Sequence, residues 1–381
     1  MRVVGKFAGL ALISALAGCS SLNPFSTPNP KTKPAALVDF KPSLTVRTAW
    51  STSIGKAGNY VFSPAYASDS IFAAAADGSL ARLDAASGRQ QWRIDAGSRL
   101  TAGVGSDGNT VAVAGEKGGL LVFDGDGKLR WKAQSSSEIL SAPVVGQGLV
   151  IVRSVDNRIA AYDAATGERR WVVQRTSPAL TLRSAPGMVI AGQSVFVALP
   201  GGRLVALALS NGGARWEVAV GDPRGATELE RIADTSGAPV IVGRDICAVA
   251  YQGRVACFDS GNGAGHWARP LSSDVGLSAD ERFVFTSDEH GSVIAFIRDS
   301  GQGAWRNDQL TNRHLSSPAS FARAVAVGDY QGYIHFLSRE DGSLLARVST
   351  DGSAVLPAPI VAGANLIFQT QSGTLVALAS E

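Results

Sequence analysis

The chain has 381 residues, of which 45% are apolar and 18% charged, with 43 glycines and a formal net charge of +3. That length and apolar fraction supply a large core, and the glycine content suits a turn-rich β protein, so a disordered or fibrous chain is excluded. A balance this close to neutral, without a cluster of Lys and Arg, argues against nucleic acid as a partner.

At the amino terminus, Arg2 and Lys6 precede an apolar run from Phe7 to Ala17. The run is too short to cross a bilayer comfortably and has the layout of a signal-peptide core. It ends in Leu16-Ala17-Gly18-Cys19, which resembles the lipobox of bacterial lipoproteins. There, small residues precede the cut and the cysteine thiol takes diacylglycerol. The alternative is an ordinary secretory leader that happens to end in cysteine. The lipoprotein resemblance implies that residues 1–18 are a signal peptide and that Cys19 becomes an amino terminus carrying diacylglycerol and an N-acyl chain. Ser20 in place of Asp implies, by the same resemblance, retention at the outer membrane facing the periplasm. Residues 19–43, with prolines at 24, 28, 30, 34 and 42, read as an extended tether, and 44–381 as the folded domain.

All seven tryptophans then fall in one frame: Trp50, Trp92, Trp131, Trp171, Trp216, Trp267 and Trp305, spaced 38 to 51 residues apart. An eighth slot follows at Ala346. A period of about 40 residues is one supersecondary unit, enough for four short strands. Within each unit the grammar repeats. Ile71 to Ala76 is an apolar run, Asp77-Gly78 a hairpin signal, Leu80 to Asp84 a second run, and Asp84-x-x-Ser-Gly88 a second turn ahead of Trp92. Glycine recurs four places before each later tryptophan, from Gly127 to Gly301, and Gly342 keeps that place before Ala346. A small residue and proline open the units, as in Ser63-Pro64, Ala142-Pro143 and Ala238-Pro239, where a first strand residue needs no ladder donor. Four-stranded units repeated in this way predict an all-β, eight-bladed β-propeller. The first tryptophan strand, Val46 to Trp50, has no partners before it, and the last unit, through Leu375 to Leu378, stops without a tryptophan strand. The two fragments complement each other, so residues near 44–52 are expected to close the ring and remove an open edge. The tryptophans read as wedges between blades rather than as a cofactor box.

Cys247 and Cys257 flank Gln252-Gly253 in the fifth unit. A two-residue loop puts them on opposite faces and a three-residue loop aligns them, so a disulfide and two buried thiols both stay open. His266, His290, His314 and His335 lie in separate repeats or turns without metal-ligand spacing. No nucleophile elbow, Walker motif or paired-cysteine zinc pattern occurs.

The stretches Ala81 to Trp92 and Ala160 to Trp171 are similar to the tryptophan-docking repeat of quinoprotein dehydrogenases, which are eight-bladed periplasmic enzymes using pyrroloquinoline quinone. Those enzymes place a vicinal cysteine pair, a calcium cluster and a base over the axis. This chain has no adjacent cysteines and lacks the long insertions that build such a pocket. No catalytic residue, metal or redox cofactor is therefore assigned, and a quinoprotein-like dehydrogenase or ligand-binding propeller is the alternative function.

With a lipobox and no catalytic insertions, the mature chain resembles the BamB family of propeller lipoproteins of the outer-membrane β-barrel assembly machinery. Two segments outside the repeat carry the resemblance most specifically. Pro178 to Pro186 contains Leu180-Thr-Leu182-Arg183, and Thr227 to Pro239 contains Thr-Glu-Leu-Glu-Arg followed by Asp234. The resemblance implies a non-enzymatic scaffold whose loops contact the barrel-insertase subunit through its periplasmic repeat domains, with nascent outer-membrane proteins as a second candidate partner. It carries over Leu180, Leu182, Arg183 and Asp234 as contacts. A second acid usual in the family is here Ser236. The competing reading has the leucines covering the core edge and Arg183 pairing internally with Asp234 or Glu230.

Overall fold

Each stretch between two tryptophans folds as one four-stranded antiparallel sheet, and eight such sheets are present. The structure is a computed structural model describing residues 32–182 and 186–380. Blades 1 to 7 span 65–95, 105–134, 144–174, 188–219, 235–271, 277–307 and 319–349. Their strands are lettered A to D from the axis outward. The eighth blade takes its A, B and C strands from 360–380, and its D strand is Val46–Ser53, paired with Thr374–Ser380. The predicted propeller and its closure by an amino-terminal strand are both present.

The burial of each strand follows from its place in the blade. B strands such as Ser70–Ala74 and Phe283–Ser287 are buried at every residue, because neighbouring blades cover both faces. Their sequences are accordingly continuous apolar runs. D strands such as Gln90–Asp95 alternate between exposed and half-buried side chains, because only one face meets the core. The core is divided among the blade interfaces. Phe72 and Leu80 of blade 1 meet Val111 and Phe123 of blade 2, and Phe285 of blade 6 meets Val325 and Leu337 of blade 7.

The tryptophan frame has a specific geometry. Each indole leaves its D strand and donates its Nε1–H to a carbonyl in the C–D turn of the next blade: Trp50 to Ala85 at 3.1 Å, Trp171 to Leu209 at 2.7 Å, Trp305 to Arg339 at 2.8 Å. The glycine of that next turn lies under the ring. Gly88 has φ +69°, and a Cβ there would stand 2.5 Å from Trp50. The same turn is held by Asp84, whose Oδ1 accepts the Ser87 N–H at 2.8 Å. So glycine is needed twice over, for positive φ and for close approach.

Ala346 occupies the slot that breaks the series for a topological reason. Blade 8 takes its D strand from the other end of the chain, so it has no C–D turn on which a tryptophan of blade 7 could dock. The entering chain fills the gap. The Ser43 and Leu44 amides donate to the Leu345 carbonyl at 2.9 and 3.3 Å, and Leu44 is buried with Leu345, Ala346 and Phe368.

Three expectations are refined. The unit containing the propeller begins at Pro34, so residues 34–43, read above as tether, lie on the blades. The Ala35 amide donates to the Thr311 carbonyl at 2.9 Å, Arg313 reaches the Ala35 carbonyl at 2.9 Å and Arg347 the Val38 carbonyl at 3.0 Å. Arg323 donates to the Ser43 carbonyl. Pro239 does not open its strand. It lies inside Thr235–Val242, at a bulge between Ser236 and Val240 where the ladder is already interrupted. Cys247 and Cys257 form a disulfide. Val249 pairs with Val255, which leaves an odd-numbered loop and sets the two cysteines directly opposite, with Cα atoms 4.1 Å apart.

Candidate functional site

Strands alternate in direction, so the B–C turns and the connections from one blade to the next emerge on the same face. On that face, three segments of blades 3 to 5 converge: the connection through Leu180 and Leu182, the B–C turn at Gly201, and the longer connection ending at Asp234. The 3–4 connection is bound at both ends. At its start, the Arg175 amide donates to the Asn157 carbonyl at 3.1 Å, and Asn157 Nδ2 donates to Ser177 Oγ at 3.0 Å. At its end, the Leu182 amide donates to Asp234 Oδ2 at 2.5 Å. Between these anchors Leu180 is 47% exposed, while Leu182 is half-buried.

Asp234, expected as a partner contact, lies buried beneath the loop. Its exposure is 1%. Its second oxygen, Oδ1, accepts the Gly201 amide at 2.8 Å. Burial pushes the carboxyl above its ordinary range, against the opposing pull of the Gly201 and Leu182 amides and the charge of Arg153. Ser236 is likewise internal. Its Oγ donates to the Ser273 carbonyl of the next blade connection at 2.7 Å, a donor's role that a carboxylate could not fill. Glu230 does not reach into the core. Its Oε2 accepts the Ala226 and Thr227 amides at 2.8 and 3.1 Å, and these bonds hold its carboxyl below the usual range. Arg183 lies outside the described residues, as does Cys19. The structure therefore sets Leu182 against the buried Asp234, with Leu180 two residues earlier on the same loop.

Sequence reasoning missed three residues here. Leu229, 69% exposed, stands at the tip of the 4–5 insertion, and Val155 is exposed in the blade 3 B–C turn. The insertion had been marked as a whole, without its apolar tip. The third is Arg153, which ends the blade 3 B strand and is buried. Its signal was available: an arginine closing the run Leu-Val-Ile-Val, at a register position held by Ala74 in blade 1 and Ala198 in blade 4.

The propeller axis holds a cavity of about 670 Å³ lined by mostly small and apolar groups, including Gly103, Pro143, Gly187 and Val275. Among the described residues, no three His, Cys, Asp or Glu side chains gather as a metal site, and no helix is long and apolar enough to cross a membrane.

Comparison with known proteins places this geometry. The family model described as outer membrane protein assembly factor BamB matches residues 76–307 and 289–381. The assembly factor of that name from Bordetella pertussis is 47% identical over 95% of this chain and 93% of its own length. Its counterpart from Burkholderia pseudomallei is 44% identical over 98% and 97%. The crystal structure of BamB from Moraxella catarrhalis superposes with a TM-score of 0.80 at 25% identity, covering 88% of this chain and all of that one. A quinohemoprotein alcohol dehydrogenase from Comamonas testosteroni reaches a TM-score of 0.68 at 14% identity, covering 88% of this chain and 76% of its own, a likeness of fold alone. With its repeat frame, its two inter-blade connections and relatives matched from end to end, the chain belongs to the outer membrane protein assembly factor BamB family.

Proposed function

We propose that this chain is a non-catalytic scaffold of outer-membrane protein assembly, held at the outer membrane by lipid on Cys19 and docking the periplasmic repeat domains of the barrel insertase on its 3–4 connection. Membership of the family supports the role in assembly. The docking reading is carried by one observation. Leu180 stands exposed on a loop bound at both ends to a rigid propeller, which is how a scaffold presents an apolar anchor without first ordering it. Leu182 and Arg183 follow the anchor in sequence, and the neighbouring insertion exposes a second leucine, Leu229. Acyl chains bury methylenes at about 0.8 kcal/mol each, and two or more hold a protein stably at a bilayer.

The test is co-purification with the insertase from detergent-solubilised membranes. The Leu180→Ala, Leu182→Ala double variant is expected to lose the partner while keeping the circular dichroism and melting of the parent. Normal recovery of the insertase by the folded double variant would reject this docking site. Cofactor absorbance or bound calcium in the purified protein would speak for the enzymatic alternative.

A further inference from the structure

The buried charges behind the loop raise a separate question. Asp234 and Arg153 are 1% and 4% exposed; Asp234 ends the 4–5 connection and Arg153 ends the blade 3 B strand. Neither is comfortable as an ion. Desolvation raises the carboxyl and lowers the guanidinium to about 10, and each only partly relieves the other. Two buried opposite charges that influence each other only through space are weak evidence for stability, since well-packed apolar residues often do as well. Its geometry has a different use. Arg153 donates to Asn157 Oδ1 at 3.1 Å and to Ser141 Oγ at 3.2 Å. Asn157 in turn holds Ser177 at the start of the 3–4 connection. Asp234 holds Leu182 at its end and ties it to the Gly201 turn. One charge therefore fixes each end of the loop that carries Leu180.

We propose that Asp234 and Arg153 are positioning residues for the docking loop: they set the conformation of residues 177–182 from behind and do not themselves touch the partner. This rests on the docking reading above for its consequence, though not for its geometry. Each carboxylate oxygen is bonded to an amide of another segment, and at 1% exposure the group offers a partner no surface to reach.

The experiment has an arm that needs no partner. Amide hydrogen exchange of the full-length protein is compared with that of Asp234→Ala, and of the isosteric Asp234→Asn in case the first fails to fold. The Leu182 and Gly201 amides are expected to exchange about tenfold faster or more in the alanine variant, while amides of the Ser194–Leu199 strand keep their rates. Asparagine keeps a single acceptor, so it should release one of the two amides. Unchanged protection at both positions in the folded variants would overturn the proposal. The second arm measures affinity for the purified periplasmic domains of the insertase in a cycle of Asp234→Asn with Leu182→Ala. Positioning predicts that each change weakens binding about tenfold or more and that the double variant is little worse than either alone. Additive losses with undisturbed amides would show Asp234 to be a contact and reject the proposal. Released amides with normal binding in every variant would sustain the positioning role and reject the docking site instead.

Discussion

Trp50 closes the ring, and its removal tests that closure most directly. Its strand pairs with the carboxyl-terminal strand, its indole docks on blade 1, and it is only 8% exposed. In Trp50→Ala two losses must be separated. The hydrogen bond contributes little, because the Ala85 carbonyl also accepts Asn365 Nδ2 at 3.2 Å and keeps that partner. The cavity dominates. Gly88 lies against the ring face and cannot move in without abandoning its turn, so the space stays open. Truncating a buried aromatic of this size costs about 3–5 kcal/mol. Urea unfolding followed by circular dichroism measures it without relying on indole fluorescence. A half-exposed wedge such as Trp92 should cost clearly less under the same assay. A Trp50→Ala protein within about 0.5 kcal/mol of the parent would refute the reasoning, and so would a truncation starting after residue 55 that melts like the intact chain.

Restoring the repeat at its vacant slot by Ala346→Trp should destabilise by about 1–3 kcal/mol, because Leu44 already fills that space; a rise in melting temperature would contradict this account. Replacing Cys247 and Cys257 together by alanine should cost about 2–3 kcal/mol through the lost cross-link and the lost sulfur volume, read by urea midpoint with and without reductant. His335 is buried between Asp329, at 2.9 Å from Nε2, and Arg347, whose Nε donates to Nδ1 at 3.4 Å, so the neutral ring fits and burial holds its pKa below 6.5. The unfolded chain therefore binds the proton first, and stability should fall as pH drops below about 6.5 by up to 1.4 kcal/mol per unit until the folded pKa is reached; His335→Gln should remove that slope, and a parent with flat stability from pH 7 to 5 would disprove it. Cys19→Ala should yield protein without acyl chains that leaves the membrane fraction, and intact-mass measurement showing an unmodified mature terminus elsewhere in the parent would defeat the lipid anchor.

How much of this was legible in the sequence depends on how local each interaction is. The blade frame was readable because a turn, an apolar run and a tryptophan recur within one unit, and each demand is local: positive φ at Gly88, apolar faces on both sides of a B strand. Closure was readable as well, since a lone strand at one end and a missing strand at the other are a mismatch within the chain itself. The disulfide was not readable, because one residue of loop length decides whether two side chains share a face, and Gln252-Gly253 permits either register. Nor was the role of Asp234. Its amide partners lie 52 and 33 residues earlier in the chain, and its counter-charge belongs to another blade. Sequence placed that carboxylate in a loop, where an acid is expected to meet water. Only the packing of three blades, which excludes water there and supplies two backbone amides, turned it into a buried support for the loop at Leu182.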